Sequence, residues 1–293
     1  MNQGIIPSTD LSAQEIAEMR KVDVNMKNRL LWDDTTYFAD TSMVSNSHLK
    51  ELEKGGPRSL MNYLNQAKAK KKQTEAQIYG SAFHCAVLEP DELYKRFFVL
   101  DDAQICKSIG GKSPRSTNDY KAWKSAELLK HGGKQELDLS DYTDIMNLKD
   151  RVYSIPQCRQ LLEHTLKEVV YFRNIEGVMC KCKADGLRVN QFGLELKSMK
   201  DAPTLSTFSY TVNSLDYDRA AAFYKDILDV PEMHFIAAEK TYPHNIGVFT
   251  LSKETYMIGK AKYLHALRTY KSYFGKEREE KFNEQTFFFS GTV

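Results

Sequence analysis

Apolar and polar residues roughly alternate from Val178 to Lys183 and again from Phe192 to Met199, on either side of a short polar turn. A two-residue period over segments of this length predicts two strands of a hairpin. Side chains two apart on a strand share a face, so Glu195 and Lys197 project together and Leu194 and Leu196 project away from them. Asp185, on the preceding strand, comes within reach of both. Three more strands are predicted at 168–175, His234 to Glu239 and Gly247 to Leu251. Helical stretches surround them: Ser12 to Lys27, a segment beginning within Thr41 to Lys50, Tyr79 to Glu89, Asn118 to Lys130, Asp141 to Tyr153, Pro156 to Leu166, Asn213 to Leu228, and Lys253 to Tyr273. Gly55-Gly56-Pro57 breaks the second of these, Pro90 closes the third and Gly132-Gly133 ends the fourth. Ser140 is the candidate cap of the fifth, and Pro156 sits in the permitted first turn of the sixth. Residues 101–140 read as an excursion from the main body. The order implies an α/β or α+β fold, a central mixed sheet flanked by helices.

Composition narrows the class without naming it. A chain of 293 residues allows one large domain or two small ones, and its aromatic content, mostly Tyr and Phe, supports a sizeable core. The net charge of +2 neither demands a nucleic-acid partner nor excludes a locally basic groove. Lys68 to Lys72 is a basic run that suits either a solvated face or a nucleic-acid backbone. No apolar run is long enough to span a bilayer, and Met1 to Asp10 lacks the features of a signal peptide, so a cytoplasmic location is expected. The five cysteines are scattered and odd in number, which points to reduced thiols. Cys180-x-Cys182 has no second pair to complete a zinc or iron–sulfur site and reads as packing.

The candidate chemistry centres on Asp185, Glu195 and Lys197. Two carboxylates can hold a hard divalent cation such as Mg²⁺. Such a cation lowers the pKa of water and polarises a phosphoryl oxygen, while the lysine can orient the water and offset developing charge. An amphipathic hairpin with exposed charges can produce the same spacing, so context has to decide. His84, among Phe83, Val87 and Leu88, is either a satisfied core residue or a ligand. The hydroxyls around Ser45 and Ser47 suit an ordinary helix cap and also a phosphate. Gly110-Gly111-Lys112-Ser113 is not a phosphate-binding P-loop, because Cys106 stands where that motif needs glycine.

Taken together and in order, these pieces resemble the PD-(D/E)xK nuclease superfamily, and within it the exodeoxyribonuclease VIII, or RecE-type, catalytic domain of phage and prophage recombination systems. Ser45-Asn46-Ser47-x-Leu49-Lys50 resembles that family's early segment, and Gly80-Ser81-Ala82-x-His84 its G-x-A-x-H helix. Glu168 with the strand after it, Lys183-x-Asp185, Glu195-Leu196-Lys197-Ser198 and Tyr217-Asp218-x-Ala220-x-Ala222-Phe223-Tyr224 follow, then Glu239-Lys240-x-x-Pro243. The family's helix usually carries glutamine where Ala220 stands, so a contact of that residue is lost or supplied otherwise, with Arg219 and Asn213 nearby.

The resemblance covers about residues 41–273 and implies an exonuclease domain there, preceded by a tail and helix over 1–40. A charged and aromatic tail over 274–293 would follow, with Phe287 to Phe289 available for docking. It implies His84, Asp185, Glu195 and the Leu196 carbonyl as ligands of Mg²⁺, with Mn²⁺ able to substitute. Lys197 would position the water, Glu168 would be an acidic neighbour at the pocket edge, and Tyr224 would close one side. Ser45, Ser47, Lys50, Ser198 and Arg219 become candidate DNA contacts. The activity implied is 5′→3′ digestion of double-stranded DNA ends in the bacterial cytoplasm. The 3′ overhangs so formed would pass to a RecT-type single-strand annealing protein. A homo-oligomeric ring is also implied, giving processivity without a strongly basic surface. Two other readings remain on the same fold: a nuclease carrying an iron–sulfur cluster, which the cysteine spacing opposes, and a non-catalytic or endonucleolytic DNA-binding protein.

Overall fold

The computed structural model describes residues 32–66 and 73–275. The expected helix at Ser12 to Lys27, the basic run at Lys68 to Lys72 and the aromatic segment Phe287 to Phe289 lie outside the described residues. The chain begins with α1 (Asp34–Ala39), α2 (Asn46–Gln66), α3 (Glu75–Leu88) and α4 (Leu93–Arg96). An insertion follows, made of β1 (Phe97–Leu100), α5 (Ala103–Ile109), α6 (Asn118–Lys130) and β2 (Gln135–Asp138). The remainder is α7 (Leu139–Ser154), α8 (Pro156–Leu162), β3 (Leu166–Ile175), β4 (Val178–Arg188), β5 (Phe192–Met199), α9 (Leu205–Ser214), α10 (Tyr217–Leu228), β6 (Glu232–Glu239), β7 (Ile246–Thr250) and α11 (Lys253–Phe274).

The fold is α+β, with β3 to β7 forming a five-stranded mixed sheet in sequence order. Among the strands of this sheet only β5 and β6 pair in parallel, and α9 and α10 make the crossover between them. Helices cover both faces. On one, α3, α7 and α8 bury Phe83, Val87, Ile145, Leu148 and Leu162 against Leu194, Leu196 and Ile236. On the other, α10 and α11 bury Phe223, Ile227 and Tyr263 against Cys180, Cys182 and Ala184. Both cysteines are buried and free, as the packing reading expects. The α10–α11 approach is close: a Cβ on Gly259 would lie 2.0 Å from the Asp218 carbonyl oxygen.

Several boundaries differ from the sequence expectations for identifiable reasons. The helix expected over Asn213 to Leu228 is two helices, because Asp216 adopts a left-handed conformation (φ 55°) between them. Asp138, not Ser140, caps α7: its Oδ1 accepts the Asp141 N–H at 2.8 Å, and the Ser140 hydroxyl donates to that same oxygen. The helix expected to reach Leu166 stops at Leu162, and β3 starts at Leu166. The excursion over 101–140 contains more order than expected, since β1 and β2 pair in parallel as a small separate sheet. The glycine break is where it was expected. Gly55 and Gly56 leave helical geometry inside α2, with Gly56 at φ 67°.

Three features of the sheet make the site. First, β4 and β5 pair only over Gly186–Leu194 to Arg188–Phe192, so the strands part at Asp185 and Glu195. Second, the parted edge of β4 is taken up by the chain ahead of α2. Val44 bridges Cys180 in parallel, which brings Ser45, Asn46 and Ser47 to the mouth of the gap. Third, β3 and β4 keep one register on either side of Glu168 and Asp185, but that pair drops out of the ladder, and Glu168 has φ 52°. Leu166 and Val169, three apart on one strand, reach the same core as Leu187 and Ala184, three apart on the other. An odd spacing on one face requires the strand alternation to break between them. The left-handed backbone at a glutamate costs on the order of 1 kcal/mol or more. It is the local irregularity that turns two carboxylates out of the sheet.

Candidate metal centre and cleft

The parted strands open into a cavity of about 1100 Å³, lined on one side by α2 and α3 and on the other by the base of the insertion. His84 projects from α3, and its Nδ1 lies 3.2 Å from Asp185 Oδ1. The other Asp185 oxygen accepts the Leu196 N–H at 2.7 Å, a bond available because β5 has left β4 at this point. One ligand atom each of His84, Glu168 and Asp185 lie within 4.8 Å of one another. Glu195 and Lys197 project together, as the alternation predicts: Lys197 Nζ donates to Glu195 Oε2 at 2.5 Å and lies 4.0 Å from Asp185 Oδ2. The Lys197 ammonium also sits over the Tyr217 ring, 5.4 Å from its centroid.

The electrostatics divide the carboxylates. Burial pushes Glu195 up to about 7, against the pull of Lys197, with Asp185 adding repulsion. Asp185 is held down at about 2: burial opposes ionisation, but the charges of His84 and Lys197 and the hydrogen bonds from His84 and Leu196 outweigh it. His84 is raised, the nearby Asp185 carboxylate overcoming desolvation. Lys197 is raised by Glu195 and Asp185 and stays an ammonium. Glu168 is raised by burial and by Asp185, with Lys183 opposing. Tyr224, in the cavity wall, is pushed far up by burial and keeps its proton.

These residues fit a hard divalent cation. Glu195 Oε1 is buried without a hydrogen-bond partner, an arrangement that costs about 1–3 kcal/mol unless something binds the oxygen. The donor set of carboxylates with one imidazole suits Mg²⁺, and the nitrogen suits Mn²⁺ as well.

Other sequence candidates separate clearly. Ser45 and Ser47 line the cavity, and the Ser45 N–H donates to His48 Nδ1 at 3.3 Å. His48 is itself buried and pushed down to about 4, so it is neutral at pH 7. Lys50 is exposed, Ser198 is half-buried, and neither is part of the cavity wall. Arg219 is not brought to the cavity. It is 1% exposed and bonds Glu53, Asp216 and Asn46, so its guanidinium is committed to holding α2 against α10. Glu168, expected at the edge, is inside the ligand group. Among the wall residues without an assigned role are Asp34, Arg96 and Lys183. Lys183 was legible, standing two positions before Asp185 on a predicted strand. Asp34 and Arg96 had no local signal.

A family model described as a PDDEXK-like domain of unknown function (DUF3799) matches residues 45–286. A crystal structure from Eubacterium rectale described as a "putative exonuclease" superposes with a TM-score of 0.59 at 14% identity, covering 89% of this chain and 96% of that one. An alkaline exonuclease from Laribacter hongkongensis aligns with a TM-score of 0.26 at 12% identity, covering 66% of this chain and 93% of that one. At 14% identity the first of these shows a likeness of fold alone. No curated protein matches the sequence. Among the described residues, no helix is long and apolar enough to cross a membrane.

Proposed function

Since the chain belongs to the PDDEXK-like family DUF3799, we propose that it is a divalent-metal-dependent nuclease that cleaves DNA phosphodiesters. The observation that carries this reading is the convergence of His84, Asp185, Glu195 and Lys197 where β4 and β5 part, with a buried carboxylate oxygen left unpartnered. His84, Asp185 and Glu168 offer ligand atoms that lie together, and Glu195, beside them and paired with Lys197, would complete the ligands of the metal. When bound, a divalent cation lowers the pKa of water and stabilises charge on a phosphoryl oxygen. Lys197 is a fixed ammonium whose remaining N–H bonds can orient the attacking water and meet charge that builds on the phosphate. The Leu196 N–H and His84 hold Asp185 in one rotamer, so the carboxylate need not reorganise. The Leu196 carbonyl is a further candidate ligand. Tyr224, protonated, can donate to a phosphate oxygen, and Ser45 and Ser47 can contact the nucleic-acid backbone. Lys50 and Ser198, outside the cavity wall, would contact the backbone only beyond the cleft, and Arg219, buried and paired, is assigned to holding α2 against α10.

The finer reading comes from the sequence resemblance to RecE-type domains: a 5′→3′ exonuclease on double-stranded ends, Mg²⁺-dependent, in a bacterial cytoplasm. A homo-oligomeric ring would carry out the digestion and leave 3′ overhangs for a RecT-type annealing partner. The test is digestion of linear duplex DNA labelled separately at the 5′ and 3′ ends, in Mg²⁺ and in EDTA, beside closed circles. Early Mg²⁺-dependent loss of the 5′ label with circles spared is expected. Cleavage of circles would keep the metal chemistry and replace the exonuclease with an endonuclease. Folded protein that cuts neither substrate in Mg²⁺ or Mn²⁺ would overturn the enzyme reading and leave DNA binding alone.

A further inference from the structure

Beside the ligand group, two cations converge on one carboxylate. Lys183 Nζ pairs with Asp34 Oδ1 and, at 2.5 Å, with Glu168 Oε2. Arg96 Nη2 reaches Asp34 Oδ2 at 3.3 Å, while its Nη1 holds Glu89 at 3.0 Å. Each oxygen of Asp34 therefore takes a different cation. Asp34, Arg96, Lys183 and Glu168 all line the one cavity. They come from α1, α4, β3 and β4.

The arrangement is not needed to anchor the first segment. Lys181 donates to the carbonyls of Tyr37 and Asp40, both at 2.5 Å, and lies over the Tyr37 ring. Trp32 packs edge-on against Phe172, with ring centroids 5.2 Å apart. Asp34 sits between these anchors with its side chain 40% exposed, whereas Lys183 is only 16% exposed. A half-exposed carboxylate can rotate into water at small cost. The largely buried Lys183 ammonium would keep Glu168 as a partner and have the donor that Asp34 now takes left for another anion. A lysine and an arginine placed on the two oxygens of a carboxylate offer the same donors that bind two oxygens of a phosphate. The Glu168 that Lys183 also touches belongs to the His84–Asp185 group, so an anion held there would lie next to the metal position.

We propose that Lys183 and Arg96 form a phosphate subsite beside the metal centre, and that Asp34 is an internal carboxylate occupying it until a substrate phosphate takes its place. Assigning that phosphate to nucleic acid rests on the nuclease reading. The competition itself does not. Lys183 and Arg96 are positioning residues for the phosphodiester, and Asp34 sets how strongly any anion must bind to enter.

The experiment measures binding of inorganic phosphate to the full chain in EDTA at constant ionic strength, by ³¹P line broadening and by the rise in Tm with phosphate over chloride. Asp34→Asn should tighten phosphate binding by roughly five- to tenfold, the scale of one ordinary net hydrogen bond in a partly exposed site. Asp91→Asn, an exposed carboxylate removed nearby, controls for net charge. Adding Arg96→Ala or Lys183→Ala to Asp34→Asn should erase the gain, with Lys183→Met used if the alanine variant does not fold. A gain no larger than that of Asp91→Asn would overturn the proposal. So would a gain that survives loss of both cations, since the anion would then bind elsewhere. Phosphate binding that obeys these rules in a protein that cuts no DNA would keep the subsite and remove the nuclease. DNA cleavage in a protein that fails them would do the reverse.

Discussion

Replacing Glu195 with glutamine tests the buried-carboxylate argument apart from any assay of cleavage. Glu195 titrates at about 7 in the folded protein against an ordinary value of 4.5. An acid whose folded pKa is raised binds more protons folded than unfolded between those two values. Stability must therefore fall as pH rises through that window. The difference of 2.5 is worth about 3 kcal/mol at 1.36 kcal/mol per unit. In EDTA, wild-type protein should lose that much between pH 4.5 and 8 from this one group, a drop in Tm of roughly 5–10 °C for a chain of this size. Glu195→Gln keeps the shape and cannot ionise, so its profile should lack the fall. His48, held at about 4, gives both proteins the same loss on acidification, and the difference between the two profiles cancels it. Mg²⁺ at a hundred times its Kd should restore about 2.7 kcal/mol to wild type at pH 8 and much less to the variant. Thermal or urea melts at pH 5, 6, 7 and 8 give the comparison. Parallel pH profiles for the two proteins in EDTA would refute the reasoning, because Glu195 would then ionise without penalty.

Lys197→Ala should lower single-turnover cleavage by roughly 10²–10³-fold, the scale of losing one charge that acts on the transition state, while Mg²⁺ affinity changes far less. A rate near wild type would remove Lys197 from the chemistry. His84→Ala should weaken Mg²⁺ or Mn²⁺ binding by at least about tenfold, the cost seen even for residues behind the ligands, as read by calorimetry. A lower Tm with unchanged metal affinity would make His84 a core residue. Gly259→Ala should cost about 3 kcal/mol or more by urea melts, because the added Cβ meets the Asp218 backbone at 2.0 Å and not a movable side chain. A cost below about 1 kcal/mol would mean that α10 and α11 separate easily.

The sequence by itself determined the pieces that depend on neighbours along the chain. Strand alternation put Glu195 with Lys197 and sent Leu194 and Leu196 into the α3 and α7 core. Glycines marked the break in α2, and the mixed sheet followed from the order of strands and helices. These succeed because a side chain's face is set by backbone periodicity, which is local. Helix ends fared worse where one left-handed residue, Asp216, split a continuous pattern, since a single φ carries no periodic signal. Tertiary structure alone decided what those pieces meet. Nothing near Arg219 in sequence says that Glu53 will bury its charge. Nothing near Glu168 says that it will drop out of the β3–β4 ladder, with the register kept on both sides, and turn its carboxylate toward His84 and Asp185. Asp34 meets Arg96 across 62 positions and Lys183 across 149. Such encounters are fixed by how the layers stack and where β4 and β5 part, and charge pairing follows position because an ion leaving water needs whichever partner the fold has placed within reach.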